Sequence, residues 1–209
     1  MGQRGQRCRG PVVETPGPPC AWKGARDTDR GPTLRGRAVA GAARPFVRRL
    51  ALQVNETVDL AMLDAGDVLF VDHHESSQAL RVVAEIGTRF PLHCTASGKA
   101  LLAALPAADV ETLLPPGLAA LTPNTIVDRR RLLRELRQVR LAGVAFDRDE
   151  HTVGVSAVGT TVQDATGDVV AITVVAPTFR FAQQAEDLVA RLLHTRYELQ
   201  VFLGLSAAS

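Results

Sequence analysis

The stretch Phe90-Pro91-Leu92-His93-Cys94-Thr95-Ala96-Ser97-Gly98-Lys99, followed by Ala-Leu-Leu-Ala-Ala-Leu to position 105, constrains this chain more than any other. It reads as a short extended entry, a tight turn and a helix. Thr95 and Ser97 are both candidate N-caps, because a short hydroxyl can accept from the free N–H groups of a first helical turn. From Lys99 to Leu105 the residues are almost all Ala and Leu, the strongest helix formers. The helix is apolar nearly all round, which predicts packing on several sides. A small-residue turn feeding a buried helix leaves N–H groups aimed at a concave space, a place for a carboxylate or another anion. A plain solvated turn is the competing reading. A nucleotide-binding loop is excluded, because His93 stands where its first Gly is required and Ala100 where its Ser/Thr is required. Lys99 and Lys23 are the only two lysines among 24 basic residues, so Lys99 reads as chosen for its amine.

The remainder of the chain supplies a sheet. Pro45, Phe46, Leu50, Ala51 and Val54 open the ordered part as a helix, with Pro45 at the first helical position. Thr57–Leu63 alternates like a strand, Asp64-Ala65-Gly66-Asp67 is a hairpin turn, and Val68–Asp72 is the returning strand. Ala79–Ile86 reads as a third strand. After the central helix come a short helix from Pro106 to Leu114 and a loop over 115–127. Asp128 then caps an amphipathic helix that Gly143 ends. Val144–Phe146 leads into the acidic cluster Asp147–His151. Val153–Val162 and Val169–Val175 form a second hairpin about Asp164–Asp168, and Phe181 to about Gly204 is a long last helix. Helices covering a mostly antiparallel sheet make an α+β fold.

Residues 1–44 hold 8 of the 17 glycines and 5 of the 12 prolines and carry a net charge of +6, whereas residues 45–209 carry −4. The first segment has no helical or strand period, so residues 1–44 are expected to be disordered, with residues 45–209 as the folded domain. The chain has no run of 18 apolar residues, so no membrane partner is expected. Three cysteines, Cys8, Cys20 and Cys94, suit a reducing, cytoplasmic setting better than a disulfide framework. His73 and His74 are adjacent and on a strand point to opposite faces, and the other histidines lie far apart, so neither a metal nor any other cofactor is expected.

Three segments carry a resemblance: Glu56–Leu63 with Gly66–Ser76, Gly87–Leu105, and Gly143–Pro177. Together they resemble the effector-binding domain of IclR-family transcriptional regulators, over roughly Arg44 to the end. The resemblance implies a GAF-like fold. It also implies a small organic acid or aromatic effector, self-association as a dimer or tetramer, and DNA contact only through a helix-turn-helix domain not seen in this sequence, with residues 36–45 as a remnant of the linker helix. By the same resemblance, Ala96, Ser97 and Gly98 would hold the effector at the helix start, with Asp147, Ala157, Thr173 and Val175 around it. The family often has Cys at the position of Ala157, Ser at those of Thr173 and Val175, and Ala-Ala-Pro at those of Gly159-Thr160-Thr161, so the pocket is expected to be less polar than usual. Two other readings compete. One is a hydrolase using Ser156 within Gly154–Gly159 and the Asp147–His151 cluster, a spacing one residue too long for a nucleophile elbow. The other is a ligand-free oligomerisation module.

Overall fold

Two tight hairpins set the frame. Strands β2 (Thr57–Asp64) and β3 (Asp67–His74) are joined by Ala65 and Gly66, both at positive φ (50° and 88°). That is the twist a two-residue turn needs to match the strands it connects. Strands β7 (Val155–Gln163) and β8 (Val169–Pro177) are joined by a turn in which Asp164 Oδ1 accepts from the N–H groups of Thr166 and Asp168. β2 and β8 pair at the centre, and two short strands, β5 (Arg89–Phe90) and β6 (Ala145–Arg148), close the edges. The order is β5-β3-β2-β8-β7-β6, antiparallel at each pairing. The computed structural model describes residues 12–14 and 34–205, with side chains from 38 onward.

Helices cover both faces. Val58, Leu60, Val158, Ile172 and Val174 point to one side, against α1 (Leu34–Val54) and α5 (Thr178–Phe202). Ala61, Phe70, Ala145 and Ala171 point to the other. There they meet α2 (Ala96–Ala104) and α4 (Arg129–Ala142), with the short α3 (Ala107–Leu113) beside them. Sequence and structure agree on this three-layer α+β architecture.

Four details differ from the sequence expectation. The boundary expected at Pro45 falls inside α1, which begins at Leu34. Val39, Ala43, Val47, Leu50 and Val54 recur at helical spacing and are buried, so the helix is held by packing that its glycines and arginines disguised. Pro45 lies on the exposed side, where water can satisfy the carbonyl its missing N–H leaves free. The rest of the segment expected to be disordered, apart from β1 (Val12–Glu14), lies outside the described residues. The third expected strand shortens to β4 (Arg81–Val83), which pairs with β1 and not with the main sheet. Asn55 anchors the chain ahead of it, accepting from the hydroxyls of Ser76 (2.7 Å) and Ser77 (2.8 Å). β6 is a strand where the sequence suggested only a lead-in.

Two buried ion groups tie the layers. Glu56 receives Arg180 at both oxygens, 2.7 and 2.8 Å, and Arg180 also donates to the carbonyl of Leu80. Lys99, wholly buried on α2, bonds Glu150 at 2.7 Å and Glu135 of α4. Removing one partner of such a group strands a charge away from water. Lys99→Met is therefore expected to destabilise the fold by about 3–5 kcal/mol, read as a lower urea midpoint with unchanged slope. An unchanged midpoint would mean that the two glutamates reach water freely.

Candidate functional site

Strand alternation decides which side chains meet. On β2, Asp59 points away from the α1/α5 layer, between Val58 and Leu60, which point into it. Thr173 is its partner across β8, Val175 faces Ala157 across β7, and Ala157 faces Asp147 across β6. These side chains line one side of a single cavity. Its far wall is the start of α2, with Thr95, Ala96 and Ser97. Phe70, Phe90 and His151 close one flank, and Val82 and Ala84 of the β4 segment lie over it. That segment is held down by the Arg180–Leu80 bond described above.

The α2 end is prepared for an anion. Thr95 caps the helix, its Oγ1 accepting from the Gly98 N–H at 3.0 Å and donating to the Pro91 carbonyl at 3.2 Å. The N–H groups of Ala96 and Ser97 belong to the first turn, where a helix offers them no acceptor, and they sit at its positive end.

The sheet end is a pair of acids. Asp59 is 4% exposed, and burial pushes its carboxyl up to about 8, so at neutral pH it holds its proton. Asp59 Oδ1 and the hydroxyl of its neighbour Thr173 have no hydrogen-bond partner. Asp147 Oδ1 accepts from the Glu150 N–H at 2.8 Å, yet burial lifts its carboxyl to about 7. His151 stacks on Phe90 with centroids 4.1 Å apart and bonds Thr152 through Nδ1 at 2.8 Å. Burial lowers it to about 4, so it is a neutral ring at pH 7. Unpaired buried polar atoms cost free energy, and their concentration on one cavity marks it as a place for something else to bond.

Of the seven residues singled out from sequence, Ala96, Ser97, Asp147, Ala157, Thr173 and Val175 line this cavity. Gly98 does not. A Cβ there would strike the carbonyl of Leu92 and come within 2.6 Å of its Cα, so the glycine serves the packing of the entry turn on α2. Asp59 and Phe90 were not singled out, and His151 was named only in the acidic cluster and not as an effector contact; Asp59 and His151 add polar groups to the cavity and Phe90 an aromatic face. The signal for Asp59 was present: Ala61 and Leu63 are apolar on its own side of the strand. Both faces of β2 are therefore apolar, so an acid among them must be buried. Ser156 lies elsewhere. It points to the α5 side, where its hydroxyl meets Thr178 Oγ1 at 3.0 Å, and it lines a different groove from Asp147 and His151. Of the cluster, Asp149 lies beside it, with Oδ2 3.4 Å from the Ser156 hydroxyl, whereas neither Asp147 nor His151 reaches that hydroxyl.

The cavity is small, about 40 Å³, room for a few waters at ~10–15 Å³ each.

Comparison with known proteins adds the following. A family model described as bacterial transcriptional regulator IclR C-terminal matches residues 32–198. The chain is 42% identical over 180 residues to the HTH-type transcriptional regulator Rv1719 of Mycobacterium tuberculosis, covering 83% of this chain and 70% of that protein. It is 34% identical over 177 residues to the HTH-type transcriptional repressor AllR of Escherichia coli K12, covering 83% and 65%. Among solved structures, it is similar to a double mutant of the PobR transcription factor inducer-binding domain from Acinetobacter, in complex with 3-hydroxybenzoic acid. There the TM-score is 0.68 and the identity 28%, over 77% of this chain and 96% of that one.

The raised Asp59 carboxyl makes a signed prediction. The unfolded chain releases this proton near pH 3.8, while the folded chain keeps it to about 8. Folding is therefore opposed increasingly as pH rises through that window. Asp59→Asn is expected to match the parent near pH 4 and to exceed it in stability at pH 8, in urea melts taken across the range. A difference that does not change with pH would mean that Asp59 ionises normally.

Proposed function

This chain belongs to the IclR family of bacterial transcriptional regulators, and on that premise we propose that its folded part, from α1 onward, is the effector-sensing domain of such a regulator. One observation carries the reading. Two buried polar atoms without partners, Asp59 Oδ1 and Thr173 Oγ1, face the same cavity as the first turn of α2. A small organic acid suits that arrangement: its carboxylate at the N–H groups of Ala96 and Ser97, its body against Ala157 and Val175. A hydroxyl at the far end would reach the Asp59 carboxyl and the Thr173 hydroxyl. The protonated acid donates there without repelling the ligand's own charge. An aromatic body finds Phe70, Phe90 and the neutral His151 ring beside it.

Ligands of this size need a few hundred Å³, far more than the closed cavity gives. Binding therefore displaces the β4 segment outward, and that displacement is the change a DNA-binding region would sense. In this reading the domain binds without turnover, since Ser156 meets only Asp149 of the acidic cluster, while Asp147 and His151 line the cavity on the other side of the sheet. DNA contact belongs to a helix-turn-helix region, and the protein works as a dimer or tetramer in the cytoplasm.

The test is calorimetry with benzoate, 3-hydroxybenzoate, 4-hydroxybenzoate and the neutral 3-hydroxybenzamide. The expected result is binding of the acids, loss of binding for the amide, and tighter binding of a hydroxylated acid that Asp59→Asn reduces. Ala157→Leu, which fills the cavity, should abolish binding while circular dichroism stays unchanged. Binding to a folded Ala157→Leu variant as tight as to the parent would place the effector elsewhere.

A further inference from the structure

A second cavity, about 240 Å³, opens at the other end of α2. It is bounded by Arg140 of α4, Thr161 and Gln163 of β7, and Arg196 and Gln200 of α5, with Gly143 between them. No carboxylate lines it. Neither guanidinium has an ion-pair partner among the described residues.

The two arginines are not equivalent. Arg140 is engaged with the end of α2, where Nε donates to the Ala103 carbonyl at 2.9 Å and Nη2 to the Leu105 carbonyl at 3.0 Å. It offsets the negative end of that helix. Arg196 makes a single long bond, Nη1 to the Gly143 carbonyl at 3.3 Å, and its buried Nε has no partner. Gly143 makes room for it. The glycine ends α4 in the left-handed region (φ 73°), and a Cβ there would lie 2.6 Å from Arg196 Nη1. The result is a half-buried cation with four of its five donors unused, in a recess that holds no negative charge. Burial lowers the pKa of Arg196, the direction expected of an uncompensated cation. Gln163, Gln200 and Thr161 add neutral donors that an oxygen-rich anion can use.

We infer that this recess is a binding site for a small oxyanion, a phosphate or the phosphate group of a phosphomonoester, held chiefly by Arg196 with Gln200 and Arg140 beside it. A planar guanidinium with free donors is the group best shaped for bidentate contact with phosphate oxygens. The site is separate from the effector cavity, since the two share no lining residue and lie at opposite ends of α2 and β7. Its occupancy would add charge against the carbonyl end of the helix whose amide end holds the effector.

The experiment is calorimetry of the whole chain with sodium phosphate and with glycerol phosphate, each against sodium chloride at matched ionic strength. Saturable heat for phosphate and none for chloride is expected. Arg196→Met should weaken binding by about tenfold or more, the loss of a charged hydrogen-bond donor pair. Gln200→Glu, which places a carboxylate in the recess, should do the same and serves if Arg196→Met fails to fold. Arg137→Met, an exposed arginine of α4 outside the recess, should bind as the parent does. Tighter binding of glycerol phosphate would identify a phosphorylated metabolite as the ligand, and tighter binding of inorganic phosphate the free ion. No saturable heat from either anion in the millimolar range would overturn the proposal. So would folded Arg196→Met and Gln200→Glu variants that bind like the parent.

Discussion

A buried lysine between two glutamates organises the α2 side of this molecule. Lys99 sits in the first turn of α2, an unfavourable place for a cation. Its amine avoids that end by crossing to Glu135 on α4 and Glu150 beyond β6. The group is worth little as net stabilisation, because Lys99 and Glu150 have left water. Its effect is positional. Glu150 donates its N–H to Asp147, and its carbonyl accepts from the hydroxyls of Thr122 and Thr125. Through those bonds one amine fixes the start of α2, the turn after β6 and the loop ahead of α4 relative to each other. The amide end of α2 and the Asp147 carboxyl face the same cavity because this group holds both.

What the cavity can take follows from its two ends. One end has backbone donors and a helix dipole. The other has acids that burial keeps wholly or partly protonated at neutral pH. A site with two ionised aspartates would reject an organic acid. A neutral Asp59 carboxyl removes that repulsion and leaves a donor for a substituent at the far end. The roof segment pairs with β1 and is tied at its leading end through Leu80 and Asn55, with no ladder to the main sheet. Outward movement of this segment would therefore break no ladder of the main sheet.

Much of the fold could be read from the chain. The hairpins at Asp64–Asp67 and Asp164–Asp168 announce themselves by turn chemistry between apolar runs. α4 announces itself by its Asp128 cap, its leucine face and Gly143. The first half of α1 could not be read this way, because glycine, arginine and Pro45 give the composition of a disordered tail, and only packing against the sheet makes it a helix. β6 is too short to show a period, and β4 has the residues of a strand but no place in the main sheet. In the site, the Ala96-Ser97 turn could be read from its small residues ahead of a helix, whereas Asp147, Ala157, Thr173 and Val175 came from resemblance, and pattern alone would not have joined them to it. Gly98 packs against the Leu92 backbone outside the cavity lining, and the backbone packing that requires a glycine there has no mark in the sequence. Asp59 was missed because an acid in an alternating strand reads as solvent-facing until both faces of that strand are seen to be apolar.

The most direct measurement is a crystal structure of the chain with 3-bromo-4-hydroxybenzoate, located by the anomalous signal of bromine. The account predicts one bromine site inside the cavity, with the carboxylate on the Ala96 and Ser97 amides, the hydroxyl near Asp59 and Thr173, and the segment over the cavity displaced outward. A fully occupied bromine site outside that cavity, with Asp59 and Thr173 still unpartnered, would contradict it.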